Sequence, residues 1–314
     1  MRILSASESR EVSGRRSARA EVLRIVWALA LTIGWRVLGA SSVWAQETPL
    51  PTASPASKSA YSLFNPTPRE KMRPLWADRP DKTESPYTVD AGHFQIETDL
   101  VAYTRDRKSE ASDASAFQES VNLNAINLKA GLTSNVDLQW IVEMARWARN
   151  YDEASAQSGR WGLGDVTPRL KINFFGNDGG LVSLGLIAYV TFPTRFDRSS
   201  SNRAATLGVS LPIAFDLPGE AYVGAMVTHA RVLGGAGEWS SMITTGNQVV
   251  GDLAGYLEFF NTVSEVSAAP WIATVDAGLT WSYSPDLVFD AGVNVGVTAA
   301  ADDLNPFLGV TARF

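Results

Sequence analysis

The sequence predicts an all-β fold, a transmembrane antiparallel up-and-down β-barrel of about twelve strands, and three observations carry that prediction. From Ala91 onward the hydrophobic pattern repeats every two residues, without a convincing helical period. The connections between these segments sort into short turns and longer polar loops. The chain ends on an aromatic strand, Asn305 to Phe314, in which Leu308, Val310, Ala312 and Phe314 alternate with Phe307, Gly309, Thr311 and Arg313. Chain termini are ordinarily polar and frayed unless tied into a sheet, so an apolar face that runs to the last residue needs a partner strand.

Bulk composition agrees with a barrel by giving no membrane signal. The 314 residues are 45% hydrophobic and mean hydropathy is -0.04, as expected when lipid-facing and lumen-facing residues alternate. A net charge of -6 leaves no electrostatic footprint for nucleic acid. The absence of cysteine excludes disulfides, thiolate metal sites, a thiol nucleophile and a lipoprotein anchor. Two histidines, His93 and His229, lie far apart in sequence and read as ordinary polar residues rather than ligands or bases. No catalytic residue, metal site or cofactor is expected.

The amino-terminal region reads as export machinery. Arg15, Arg16, Arg19 and Arg24 precede the apolar run Ile25 to Gly34, and Val43-Trp44-Ala45 places small residues at the two positions a signal peptidase inspects. This predicts a cleaved signal peptide over 1–45, because Arg36 cuts the run well short of the roughly 20 residues a spanning helix needs. The Arg15-Arg16 pair lacks the apolar residues expected directly behind a twin-arginine signal, which favours general secretion. The long basic region also allows a start codon downstream of Met1. Residues 46 to about 60 are rich in Pro, Ser, Thr and Ala, with too little apolar content to pack. The stretch 46–90 is therefore expected to be disordered or extended, and the barrel to occupy 91–314.

Each strand is justified by its alternation. His93 to Thr104 sets Phe94, Ile96 and Leu100 opposite Gln95, Glu97 and Asp99. Asn135 to Trp147 puts Val136, Leu138, Trp140, Val142 and Met144 on one face, with Asp137, Gln139 and Glu143 on the other. Gly164 to Phe174 opposes Val166, Leu170, Ile172 and Phe174 to Asp165, Arg169, Lys171 and Asn173. Trp271 to Trp281 and Leu287 to Val295 repeat the pattern, with Asp276 and Asp290 on their polar faces. These lengths, about 10 residues, suit a tilted strand crossing a bilayer.

Turn chemistry separates the two ends. Thr133-Ser-Asn135, Gly176 to Gly180, Leu217-Pro-Gly219 and Ser284-Pro-Asp286 carry tight-turn residues. Longer polar loops are expected at 105–116, 148–160, 193–203 and 234–238. Short periplasmic turns and long outer loops are the pattern of outer-membrane barrels. If both ends of the barrel lie on the periplasmic side, the strand count must be even. Taking Trp239 to Thr245 as a strand, with Gly246-Asn247 opening a short turn before Leu253 to Phe260, gives about twelve. Trp147, Trp161, Phe192, Trp271, Trp281 and Tyr283 fall near strand ends, where interfacial aromatic belts are expected.

A polar face turned inward would line the lumen with Glu97, Asp99, Asp137, Glu143, Asp165, Arg169, Lys171, Glu258, Asp276, Asp290 and Arg313. Two readings of these groups stay open: a constriction that sorts solutes by size and charge, and cross-lumen ion pairs that satisfy buried charge. The charged, proline-bearing stretch Trp76 to Asp90 is expected either inside the lumen as a plug or at the periplasmic mouth. A plug would bring Arg79, Asp81, Lys82 and Glu84 to the lumen charges.

Several runs carry a family resemblance: Asp78 to Glu97, Gly162-Leu-Gly-Asp-Val-Thr-Pro-Arg-Leu-Lys171, Gly255-Tyr-Leu-Glu258 and Pro306-Phe-Leu-Gly-Val310. Over about Asp78 to Phe314 the chain resembles proteobacterial outer-membrane proteins labelled "transporter", the MetA-pathway of phenol degradation family. Its closing strand likewise resembles that of bacterial outer-membrane barrels, where a C-terminal Phe marks the strand for assembly. The long Pro/Ser-rich lead departs from the family pattern. The resemblance implies an outer-membrane location in a Gram-negative bacterium. It also implies contact with outer-membrane lipid, use of the barrel assembly machinery through the strand ending at Phe314, and passage of small, hydrophobic or aromatic solutes.

The expected function is accordingly a passive outer-membrane channel, for uptake or efflux. The alternative is a structural or adhesive barrel that conducts nothing. An embedded lipid hydrolase would need a nucleophile beside a base on the outer wall, and no serine partner for His93 or His229 is legible. A soluble β-sandwich would account for the alternation but not for the signal peptide, the loop classes and the final strand together.

Overall fold

The computed structural model describes residues 58–107, 117–151, 160–194, 204–217 and 221–314. The expected signal peptide, most of the expected disordered lead, the greater part of the loops at 105–116, 148–160 and 193–203, and the turn at 218–220 lie outside the described residues.

Among the described residues thirteen strands form one sheet. They are β1 (Phe94–Arg107), β2 (Phe117–Thr133), β3 (Val136–Tyr151), β4 (Arg160–Gly162), β5 (Val166–Phe175), β6 (Val182–Thr191), β7 (Thr206–Leu217), β8 (Ala221–Val232), β9 (Gly237–Val250), β10 (Leu253–Ser264), β11 (Ile272–Ser284), β12 (Leu287–Gly296) and β13 (Leu304–Arg313). β4 and β5 both pair with β3 and are two pieces of one stave, interrupted at Leu163 to Asp165. The ring therefore has twelve staves, all antiparallel to their neighbours, and it closes where β1 pairs with β13 from Gln95↔Arg313 to Arg105↔Leu304. Phe314 completes the seam: its amide donates to the Phe94 carbonyl at 2.8 Å and its carbonyl accepts from the Phe94 amide at 3.2 Å. Closure leaves no edge row of unpaired amides, which in hydrocarbon would each cost several kcal/mol.

The alternation sorts cleanly between the two faces. Leu128, Trp140, Leu170, Phe174, Leu211, Ile243, Leu279 and Leu308 are exposed on the outside, where lipid meets them, while Gln95, Glu97, Lys129, Asp137, Lys171, Glu258, Asp276 and Thr311 are buried within the ring. Near the short turn at 285–286 the outward rings of Trp281, Tyr283 and Phe289 pack together, with centroids 5.5–6.3 Å apart. Trp271 and Phe192 are also exposed, Trp147 is half-buried, and the Trp161 side chain lies outside the described residues.

Two details differ from the sequence expectation. Gly246-Asn247 is not a turn: β9 continues to Val250 and reverses at Gly251-Asp252. Gly246 suits a strand here because the Tyr222 ring lies over it, so that an added Cβ would sit 2.2 Å from a ring carbon. The reversal falls where Gly251 takes φ +53°, a conformation that glycine adopts without steric cost. The connection expected as a long loop at 234–238 is a tight one, since β8 ends at Val232 and β9 begins at Gly237.

Candidate functional site

The lumen holds part of the chain itself. Residues 58–73 lie across the short-turn end of the ring. Leu63 donates its amide to the Leu132 carbonyl at 2.9 Å, the Thr67 carbonyl meets His93 Nε2 at 2.7 Å, and Arg69 pairs with Asp286. Lys58 is already docked, 3.1 Å from Asp90 and 2.6 Å from Asp178. Residues 74–90 then enter the ring and return. Arg73 marks the entrance, donating to Asp90 and to the Ser134 carbonyl, while Arg313 Nη1 donates to the Arg73 carbonyl at 2.7 Å. Pro74, Pro80 and Pro86 punctuate this path; a proline removes a backbone donor that a buried irregular segment would otherwise have to satisfy.

Inside the ring the segment and the wall exchange charges one by one. Asp78 accepts from both Lys129 and Lys171, and its amide donates to Glu97 at 3.0 Å. The Arg79 guanidinium forks onto Asp290 at 2.8 and 2.9 Å and reaches Asp99 at 2.6 Å. Lys82 Nζ donates to Asp276 at 2.7 Å and to Thr274 at 2.9 Å. Glu258 collects the backbone amides of Lys82 and Thr83 and the Thr83 hydroxyl. Glu84 pairs with Arg169. On the return, Lys171 and Asn173 donate to the carbonyls of Ser85 and Pro86 at 2.9 Å each, Tyr87 donates to Asp216 at 2.9 Å, and the Val89 amide donates to Asp137 at 3.0 Å.

Thus Glu97, Asp99, Arg169, Lys171, Glu258, Asp276 and Asp290 meet residues 78–85 directly. At this level the wall charges meet the segment, and one pair joins neighbouring staves of the wall itself, Lys129 with Glu97 at 2.5 Å. Arg313 lies at the mouth, held to Asp286 at 2.8 Å. Glu143 and Asp165 sit apart from the segment's contacts, with the Glu143 side chain against Gly164. Lys129, on the polar face of β2, was not among the residues singled out by pattern, although its alternation with Leu128 marks it as inward. His229 is on the outer rim, against Glu265 at 3.0 Å and the Trp239 ring.

Electrostatics follow from these partners. Burial alone would push the Asp78 carboxyl up, but Lys129 and Lys171 outweigh it and hold the group well below the usual carboxylate range. Asp90 is likewise lowered, burial being outweighed by Arg73 and Lys58. Asp81 behaves oppositely: burial and the neighbouring Glu258 push it well up, while the Thr244 hydroxyl only partly offsets them. Residues 78–84 and the wall charges they touch comprise eight carboxylates (Asp78, Asp81, Glu84, Glu97, Asp99, Glu258, Asp276, Asp290) and five cations (Arg79, Lys82, Lys129, Arg169, Lys171). Every cation is engaged. Asp81 and Glu258 are the carboxylates of this set that face each other with no cation of their own.

The wall is shaped to the segment as well as charged for it. A Cβ on Gly309 would lie 2.1 Å from the Arg79 guanidinium, one on Gly131 would lie 2.1 Å from the Asp90 carbonyl oxygen, and one on Gly185 would lie 3.1 Å from Pro86. Glycine at these inward positions leaves the volume that residues 79–90 occupy.

A closed, twelve-stave ring with an apolar outside, a polar inside and short turns at one end defines an outer-membrane β-barrel, here one whose lumen is occupied by its own amino-terminal segment. The family model described as "Putative MetA-pathway of phenol degradation" matches residues 77–314, and the chain belongs to that family. Among solved structures, an outer membrane channel from Pseudomonas putida F1 superposes with a TM-score of 0.51 at 12% identity, covering 76% of this chain and 100% of that one. The NanC porin (TM-score 0.45, 10% identity, 69% and 98% covered) and the KdgM porin (0.44, 11%, 70% and 99%) are looser likenesses. No curated protein matches the chain in sequence.

Proposed function

We propose that the protein is a passive outer-membrane channel for small solutes, hydrophobic or aromatic compounds among them, and that residues 74–90 close it from the periplasmic side. The observation that carries this reading is the fit between segment and wall. The bore is filled by a non-covalent insert, over glycines that would otherwise leave open space, rather than by side chains of the wall itself. A barrel of about twelve strands lies between filled eight-stranded barrels and open sixteen-stranded porins, so moving the insert exposes a narrow polar passage. Transport is passive, and its direction follows the gradient. In the same reading, residues 1–45 direct secretion and are cleaved, and the strand ending at Phe314 engages the assembly machinery.

Liposome swelling tests the channel. Proteoliposomes should admit single-ring aromatic solutes faster than sugars of similar mass, and faster than protein-free vesicles. No flux of either solute, through the full chain or through a variant lacking residues 46–88, would sink the channel and leave the structural barrel, the reading that a fully occupied lumen otherwise favours.

A further inference from the structure

Beside the inserted segment lies a cavity of about 260 Å³ whose lining includes Trp76, Asp81, Tyr222, Thr244 and Tyr256. A cavity of about 150 Å³ is enough for a benzene ring, so this one holds a single ring with a short substituent. Its chemistry is unevenly satisfied. The Tyr256 side chain is 3% exposed and its hydroxyl has no hydrogen-bond partner, which is costly for a buried hydroxyl. Asp81 lies beside the Tyr222 and Thr244 hydroxyls with no cation in ion-pair contact, and it is close to a second carboxylate, Glu258. Trp76 and Tyr222 stand edge to face with centroids 5.6 Å apart. Lined with aromatic rings around an uncompensated carboxylate, the space has the composition that attracts ammonium groups.

We propose that this cavity binds a small organic ammonium ion, whose N–H groups donate to the Asp81 carboxylate and to the orphan Tyr256 hydroxyl oxygen while its carbon body packs among Trp76, Tyr222 and Tyr256. With the cavity empty, burial and Glu258 favour the protonated acid at Asp81; an ammonium ion supplies the cation that the eight-to-five balance of carboxylates over cations lacks at this point and so draws Asp81 to its carboxylate form. A neutral isostere brings no such compensation, and an anion would add a like charge beside Asp81 and Glu258. Entry is from the periplasmic mouth, because Leu75, Ser282 and Val288 line both this cavity and the larger one, about 680 Å³, that opens beside Asp286. The site does not depend on whether the bore conducts, since it is read by binding alone.

Calorimetry on the folded protein in dodecylmaltoside, a detergent without ammonium head groups, decides the matter with three probes of one size at pH 7: benzylammonium chloride, benzyl alcohol and sodium benzoate. Benzylammonium should bind once per chain, with the alcohol and the benzoate about tenfold weaker or more. Asp81→Asn should weaken benzylammonium about tenfold and Tyr256→Phe a few-fold, in variants that retain heat-modifiable migration on a gel. Absence of saturable benzylammonium binding to the unaltered protein would overturn the proposal. So would equal affinity for the alcohol, or full affinity in folded Asp81→Asn. If Asp81→Asn does not fold, the three-probe series and Tyr256→Phe still decide it.

Discussion

Arg79 is the most exacting point of the insert. Its guanidinium makes three hydrogen bonds to two wall carboxylates, Asp290 on β12 and Asp99 on β1. Arg79→Gln keeps a polar side chain and strands both acids. Asp290 has a side chain only 2% exposed, whereas Asp99 retains 26%. Leaving one partner of a buried ion pair alone costs about 3–5 kcal/mol, and the solvent reaching Asp99 argues for the lower figure. At about 1.4 kcal/mol per factor of ten, the docked-to-undocked ratio should fall roughly a hundredfold. Trypsin reads that ratio. Arg79 precedes Pro80 and resists cleavage, so the informative cut follows Lys82, whose side chain is held by Asp276 while the segment is docked. When reclosing is fast, cleavage tracks the undocked population, and the Lys82 cut should accelerate about a hundredfold while the barrel keeps its heat-modifiable migration. Adding Asp99→Asn and Asp290→Asn to Arg79→Gln should recover much of the loss, because the stranded charges are gone. A cleavage rate within twofold of the unaltered protein would refute the assignment of these contacts to docking.

Three further outcomes follow from named groups. Asp81 is raised above the usual aspartate value of 3.8, so the docked state favours its protonated form. Docking should therefore weaken as pH rises from 3.8 through that raised value, and channel openings in planar bilayers should be more frequent at pH 8 than at pH 5. Asp81→Asn should flatten this trend, and an unchanged slope would contradict it. Gly246→Val forces a side chain into the Tyr222 ring, an overpacking that costs about 1–3 kcal/mol; the urea midpoint for loss of the compact gel form should drop, and an unaltered midpoint would show that the ring yields. Deleting Phe314 removes both backbone hydrogen bonds to Phe94 at the seam and should slow folding into lipid vesicles; folding at the normal rate would show that the final rung is dispensable.

The barrel was legible because a period of two survives in nearly every stave, and because parity forced a strand into 239–245. Gly246-Asn247 carries turn chemistry in sequence, but the glycine answers instead to a tyrosine on the neighbouring strand, a contact that local sequence does not encode. The inward charges were legible one by one, since each alternates with an apolar neighbour. Their partners were not: Arg79 meets Asp99, twenty residues away, and Asp290, more than two hundred residues away, and such pairing is set by closure of the ring. The closeness of Asp81 to Glu258 is hidden for the same reason. Nothing local explains a glycine at 309 or 185 in a strand, and only the path of residues 79–86 gives each a purpose.

Single-channel recording of the full chain beside a variant lacking residues 46–88 tests the gated bore most directly. That deletion removes Asp78, Arg79, Lys82 and Glu84, and leaves the wall charges facing open space. The full chain should be closed for most of the record, and the shortened one should show a steady conductance that exceeds it at every voltage. Identical traces from the two, open or closed, would contradict the reading that this segment is what fills and shuts the lumen.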